Sequence, residues 1–373
     1  MRKPMASFAR MSCFVFSVGV AALLGSWAVP AHAQVTIDMV TVGNPGNAND
    51  TIGAGYGAVN YAYQIGKYDV TIGQYAAFLN AVATTDTYSL YSTSMGTNLN
   101  VAGISRTGVS GSYTYSVMNN GGNSANRPIT YVSWFDSARF ANWVANGQPT
   151  GVQTGTTTEN GAYNVNGATS GNAPARNVTN PNTSAAPTFF IPNENEWYKA
   201  AYYSPVLNSG SGGYYTYATQ SNAAPGNAIG SGANQANYSP GGVYAVTQNS
   251  SYDSNQNYLT DVGAFSGSGS FYGTFDQSGN VLQWNDLDGL ATSGSSLGLR
   301  GGKWNNSNPF RLSSSNIVSS DPSYEGNDVG FRLASPVAVP EPATCASLLA
   351  GIVCGGYLRF RRRLADLSPS RHS

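Results

Sequence analysis

Histidine and cysteine are missing from most of this 373-residue chain. Cys13 and His32 lie near its start, Cys345, Cys354 and His372 near its end, and no residue between 33 and 344 is of either type. The body therefore holds no disulfide framework, no Cys or Cys/His zinc site, no thiol nucleophile and no histidine base. A Ser-His-Asp triad cannot be assembled in it. Charge is scarce as well, at 10% of residues against roughly a quarter in ordinary domains. The 18 basic and 18 acidic side chains cancel, so the basic excess of a nucleic-acid binder is absent. That cancellation hides a partition: basic residues crowd both ends, while Gln34 to Ala338 holds 10 basic and 16 acidic residues, a net charge of −6. In place of charge there are 44 glycines and 24 tyrosines. An apolar content of 41% is enough for a sizeable core, at a length that suits one large or two ordinary domains.

Both ends read as addresses. Arg2, Lys3 and Arg10 precede a nearly continuous apolar run from Met11 to Ala28, then Pro30, then Ala31-His32-Ala33. This is the order of a secretory signal, with signal peptidase expected to cut after Ala33. At the other end Pro340, Glu341 and Pro342 precede the charge-free, mostly apolar stretch Ala343 to Leu358, followed by Arg359, Arg361, Arg362 and Arg363. A run of this kind is a little short for a spanning helix of ~20 residues, and arginines of this kind stay on the cytoplasmic side. The Pro-Glu-Pro, apolar helix and basic end, in that order, resemble the PEP-CTERM sorting signal. The resemblance implies processing by an exosortase at the inner membrane, with transient or lasting membrane association beforehand. The protein is then expected in the periplasm, on the outer surface or in the extracellular matrix. The chain divides accordingly into a signal (1–33), an N-terminal segment (34–55), one domain (56–334), a sorting tail (335–363) and a remainder (364–373).

Within the body, the alternating Val35 to Val40 predicts a first strand. Three helices are predicted from capping boxes. Thr71 with Gln74 opens one that puts Tyr75, Phe78, Leu79 and Val82 on one face; Ser133 with Asp136 opens a second, stopped by Asn146-Gly147. Asn193 with Glu196 opens a third, running to about Tyr203. Residues 148–187 and 204–273 are rich in Gly, Asn, Ser and Thr, yet their scattered tyrosines and lack of charge runs point to ordered irregular loops. No repeat of fixed period is present, which argues against solenoids and propellers.

Six blocks now stand in order. They are Gln64 to Thr71 with Gln74-Tyr75 and Phe78-Leu79-Asn80; Arg127-Pro128-Ile129 with Val132-Ser133-Trp134 and Asp136; and Ile191 to Trp197. Gly279-Asn280-Val281 with Trp284, Arg300-Gly301-Gly302-Lys303-Trp304 and Gly330-Phe331-Arg332 complete them. Together they resemble the formylglycine-generating enzyme (sulfatase-modifying factor) domain across about residues 56–334. The resemblance implies a single irregular α+β domain related to C-type lectins, with few helices, short strands and long loops. It also implies an oxidase whose two cysteines, between the last two blocks, bind copper. Here the window Lys303 to Asn316 contains no thiol, and Ser or Asn cannot replace a soft thiolate for copper(I). The copper site is absent, and the histidines of the iron-dependent ergothioneine-type branch are absent too. The family's Gly-Asn-Val-Trp-Glu-Trp reads Gly279-Asn280-Val281-Leu282-Gln283-Trp284, which is expected to weaken that local core and remove a charge.

The remaining polar candidates are few. Glu194 and Glu196 could be paired for general acid–base work, but Glu196 fits the capping box and Glu194 the helix dipole. Asp286 and Asp288 form a small acidic cluster of a kind that holds calcium with backbone oxygens. The resemblance implies a calcium segment at Asn237 and Tyr238, although no Asp-x-Asp-x-Asp-Gly loop is present. Trp304, Asn305 and Asn306 lie where lectin-like folds present ligand loops, while tryptophans as a class are expected in the core. Tyr214, Tyr215 and Tyr217 are expected as exposed contact surface. Arg300 and Arg332 are expected to brace the fold. The reading is an exported protein without catalytic residues, acting as a binding or structural module for polysaccharide or a surface protein. The alternative is an oxidoreductase of the same family with a non-standard site.

Overall fold

The computed structural model describes residues 34–53, 55–286 and 297–336. The signal cleavage at Ala33, the whole sorting tail with Pro340, Glu341, Pro342 and Arg361 to Arg363, and Asp288 lie outside the described residues. No helix among the described residues is long and apolar enough to cross a membrane.

The strands are β1 (Met39–Val42), β2 (Tyr63–Gly66), β3 (Ile104–Thr107), β4 (Thr114–Val117), β5 (Tyr203–Ser204), β6 (Gly213–Tyr214), β7 (Leu282–Trp284), β8 (Leu297–Arg300), β9 (Val318–Ser320), β10 (Val329–Phe331) and β11 (Ala334–Ser335). Helices α1 (Ile72–Val82), α3 (Trp134–Ala145) and α4 (Glu194–Tyr202) are substantial; α2 (Ser94–Thr97) and α5 (Leu207–Gly210) are single turns. One sheet runs β1-β2-β11, antiparallel throughout. A second runs β10-β7-β8-β9, with β10 parallel to β7 and the other pairs antiparallel. Two hairpins, β3-β4 and β5-β6, stand apart. Sparse helices, short strands and long ordered loops make this an irregular α+β fold.

All three predicted capping boxes form. The Thr71 side chain accepts from Gln74 N and Gln74 Oε1 accepts from Thr71 N at 2.8 Å; Ser133 with Asp136 and Asn193 with Glu196 repeat the pattern. Gly147, in the left-handed region, follows α3 as expected. The apolar face of α1 packs on α3, where Phe78 meets Phe140 at 5.3 Å and Trp143 at 5.2 Å. Phe140 in turn meets Phe331 of β10 at 5.4 Å, which joins the helices to the second sheet.

Two expectations are corrected. The first strand begins at Met39, because β2 offers partners only from there; Val35 is instead tied to Gln148, exchanging bonds of 2.7 Å with its side-chain amide. Gln283 does not leave the core weak. Fully buried, its Oε1 accepts from Trp197 Nε1 at 2.7 Å and Arg332 Nε at 2.6 Å, and its amide donates to Asp276 O at 2.8 Å. An uncharged amide serves this position because it both donates and accepts.

Candidate functional site

The window that follows β8 is positioned by two glycines and one arginine. Gly301 and Gly302 both take positive φ, and a Cβ on Gly302 would lie 2.8 Å from Leu312 Cδ1, so the loop folds tightly back on itself. Arg300, buried, donates from Nη1 to the carbonyls of Ser314 and Asn316, each at 2.8 Å, and pins the far end. Its Nε reaches Glu194 Oε1 at 2.6 Å. Glu194 lies in the first turn of α4 as expected and is also buried against Arg300; burial raises its pKa and Arg300 opposes the rise. Glu196 accepts from Asn193 N at 2.8 Å and from the Tyr61 hydroxyl at 2.7 Å. The two carboxylates therefore serve separate structural networks. Arg332 is likewise a brace, donating to Gly66 O at 2.8 Å, Phe275 O at 2.7 Å and Asp69 at 3.1 Å.

The candidate ligand residues fall in different environments. Trp304 is 3% exposed and lies parallel to the Tyr258 ring, 5.0 Å away with an interplanar angle of 1°. Tyr258 stacks in turn on Tyr252 at 5.9 Å, and Tyr252 is 58% exposed. A three-ring column thus runs from core to surface. Trp304 is its buried root, so it cannot itself meet a ligand without displacing Tyr258. Asn305 is exposed; Asn306, half-buried, accepts from Lys303 N at 3.0 Å through its side chain and from Ser239 N at 2.8 Å through its carbonyl. Beside them Lys303 pairs with Asp328, and Tyr131 joins the same cluster with φ 59°. That left-handed conformation is a genuine outlier for a bulky residue.

The calcium segment converges on the same place. Asn237 is buried, its amide donating to Tyr258 O at 3.0 Å and Asn280 Oδ1 at 2.9 Å, its carbonyl accepting from Asn280 N at 2.8 Å. The Tyr238 hydroxyl donates to Pro225 O, and its carbonyl accepts from Asn227 at 3.3 Å. Gly279 permits this approach, since a Cβ there would sit 2.3 Å from Asn237 O. The Asn237 and Tyr238 carbonyls each accept one hydrogen bond, which leaves a second lone pair on each oxygen, and the segment itself supplies no carboxylate. Asp286 is buried and accepts from the Tyr163 hydroxyl at 3.3 Å. No group of three or more His, Cys, Asp or Glu poised for a metal occurs among the described residues.

Of the tyrosines expected at the surface, Tyr217 is buried and Tyr214 half-buried, its hydroxyl donating to Ala48 O at 2.7 Å. Among the exposed tyrosines that sequence reasoning missed is Tyr252. It sits in a loop without periodicity, and only the long-range contact with Tyr258 and Trp304 marks it. Trp134, Trp143, Trp197 and Trp284 are buried as expected.

The sulfatase-modifying factor enzyme 1-like domain model matches residues 39–337. No curated protein matches the sequence. Solved structures with a similar course include variable protein 1 of Treponema denticola, at 18% identity over 82% of this chain and 97% of that one, TM-score 0.49. CarF is 18% identical over 81% of this chain and 99% of its own, TM-score 0.44. PvdO of Pseudomonas aeruginosa is 17% identical over 81% and 92%, TM-score 0.39.

Proposed function

The chain belongs to the sulfatase-modifying factor enzyme 1-like family, and from that premise we propose that it is an exported binding module without the oxidase chemistry. One observation carries this reading. The window Lys303 to Asn316, where the resemblance would put two copper-binding thiolates, holds only amides, hydroxyls, apolar groups and the bases Lys303 and Arg311. Several of its polar atoms hold the loop, as with Asn306 on Lys303 and the Ser314 and Asn316 carbonyls on Arg300. No cysteine or histidine elsewhere in the body could substitute. What the same face offers is contact surface: the exposed end of the Tyr252 column, Asn305, and the Lys303–Asp328 pair. Flat aromatic faces beside amides suit polysaccharide, or a surface protein, better than electron transfer.

The test incubates the purified full chain, in mild detergent, with copper and oxygen and a cysteine-containing sulfatase peptide. Mass spectrometry is expected to show unchanged peptide. Formation of formylglycine above the protein-free control would overturn the binding reading.

A further inference from the structure

A second place on the molecule is built for a ligand, and it owes nothing to the window after β8. The loop 176–187, part of the long insertion, closes with Tyr61 over the start of α4 around a cavity of about 370 Å³. Its walls are largely apolar: Val178, Ala186, Pro187, Phe190 and Pro336. Val178 is 89% exposed and Tyr61 44%, so an apolar rim stands in solvent with no cover among the described residues. Such volume and lining, with a few convergent polar groups, characterise small-ligand sites.

The polar group is Arg176. Its guanidinium carbon lies over the Phe190 ring, 3.9 Å from the ring centre, and its Nη1, although buried, has no hydrogen-bond partner. Glu196 Oε2 lies 3.6 Å from it, close enough for charge compensation but too far for a hydrogen bond. Glu196 is served by Asn193 and Tyr61 and does not need Arg176. The Arg176 side chain keeps 21% of its surface exposed and lines the cavity, so the rest of its planar fork is available to an acceptor there. Burial and the adjacent Glu196 keep the Tyr61 phenol well above its ordinary pKa, so it remains a neutral ring with a fixed hydroxyl.

Charge selects among occupants. Arg176 and Glu196 cancel locally, and the body around them carries −6, so a polyanion gains nothing here and is repelled at distance. A wholly apolar molecule would seal the guanidinium donors from water without replacing their bonds. A neutral pyranose meets both requirements, because its hydroxyls accept from Arg176 while its C–H face lies on Tyr61 and Val178. We propose that this cavity binds a neutral sugar unit of a polysaccharide, with Arg176 as the polar anchor and Tyr61 and Val178 as the stacking wall. The proposal rests on the binding-module reading and names its ligand class and place.

The experiment titrates the full chain, in mild detergent, with cellohexaose, maltohexaose and mannohexaose, and with hexagalacturonate as the acidic counterpart, by isothermal calorimetry. At least one neutral hexamer is expected to bind, with hexagalacturonate silent. Val178→Trp fills the cavity from an exposed position that leaves the fold intact, and should abolish binding. Arg176→Lys keeps the charge opposite Glu196 but loses the planar fork, and should weaken binding by about tenfold. Neutral-hexamer binding unchanged in both variants, or tighter binding of hexagalacturonate, would overturn this site and leave a glycan-binding module in place. Silence of every hexamer would overturn the sugar assignment. Formylglycine production in the separate assay is the result that overturns the module reading itself.

Discussion

Arg300 shows how a few charges hold a chain that has few to spend. Buried between Tyr56 and Tyr198, 5.5 and 5.1 Å from their ring centres, it joins Glu194 of α4 to the end of the window loop. A buried pair costs desolvation at both ends, and much of its measured importance lies in what remains when one partner goes. Arg300→Met is therefore expected to destabilise the fold by about 3–5 kcal/mol, because the buried Glu194 keeps its bond from Asn285 but loses the charge opposite it. The double variant Glu194→Leu with Arg300→Met should recover a large part of that loss. Urea unfolding of both variants checks this. A single-variant loss below about 1 kcal/mol, typical of exposed pairs, would show that the pair is not structural.

At the scale of elements, the helices begin where their caps dictate. A capping box is satisfied within four residues, so Thr71, Ser133 and Asn193 mark their helices before any tertiary contact forms. In α3 the cap is buried. Burial pushes the Asp136 carboxyl up to about 6, against the lowering effect of its bonds from Ser133. An unfolded aspartate titrates near ~3.9. The folded state therefore holds the proton more tightly, and the associated stability, complete below that value, is lost as pH rises through about 6. Asp136→Asn keeps an acceptor for Ser133 without the charge. Thermal melts at pH 4, 5, 6 and 7 should show wild type losing ground to this variant as pH rises. A constant difference would sink the assignment. Strands behave otherwise: β1 starts at Met39 because β2 ends at its antiparallel partner Gly66, and alternation along Val35 to Val40 carries no information about where a partner ends.

For the whole molecule, the proposed export has a direct readout. Mass spectrometry of the protein recovered from cells that possess an exosortase is expected to find Gln34 as the first residue and the basic end beyond Leu358 removed. A chain retaining Met1 or the cluster Arg361-Arg362-Arg363 would contradict that trafficking. The acidic body that emerges presents two unlike faces for contact, the Tyr252 column beside the window loop and the Arg176 cavity. The first was partly legible, since Trp304, Asn305 and Asn306 lie in a recognisable block. The second was not, because Tyr61, Arg176 and Phe190 are 115 and 14 residues apart and belong to no block.

The sequence by itself determined three things: which chemistries are closed, where the helices start, and which family the blocks belong to. Each depends on residue identity or on contacts within a few positions. An absent thiol is absent in any fold, and a cap bonds to its own turn. Only the tertiary structure decided that Trp304 is a root and Tyr252 a surface, that Glu194 faces Arg300, and that an arginine in a glycine-rich insertion stands over Phe190 beside Glu196. Those outcomes come from long-range packing, in which loops without period bring distant residues together and burial sets which groups remain unmatched.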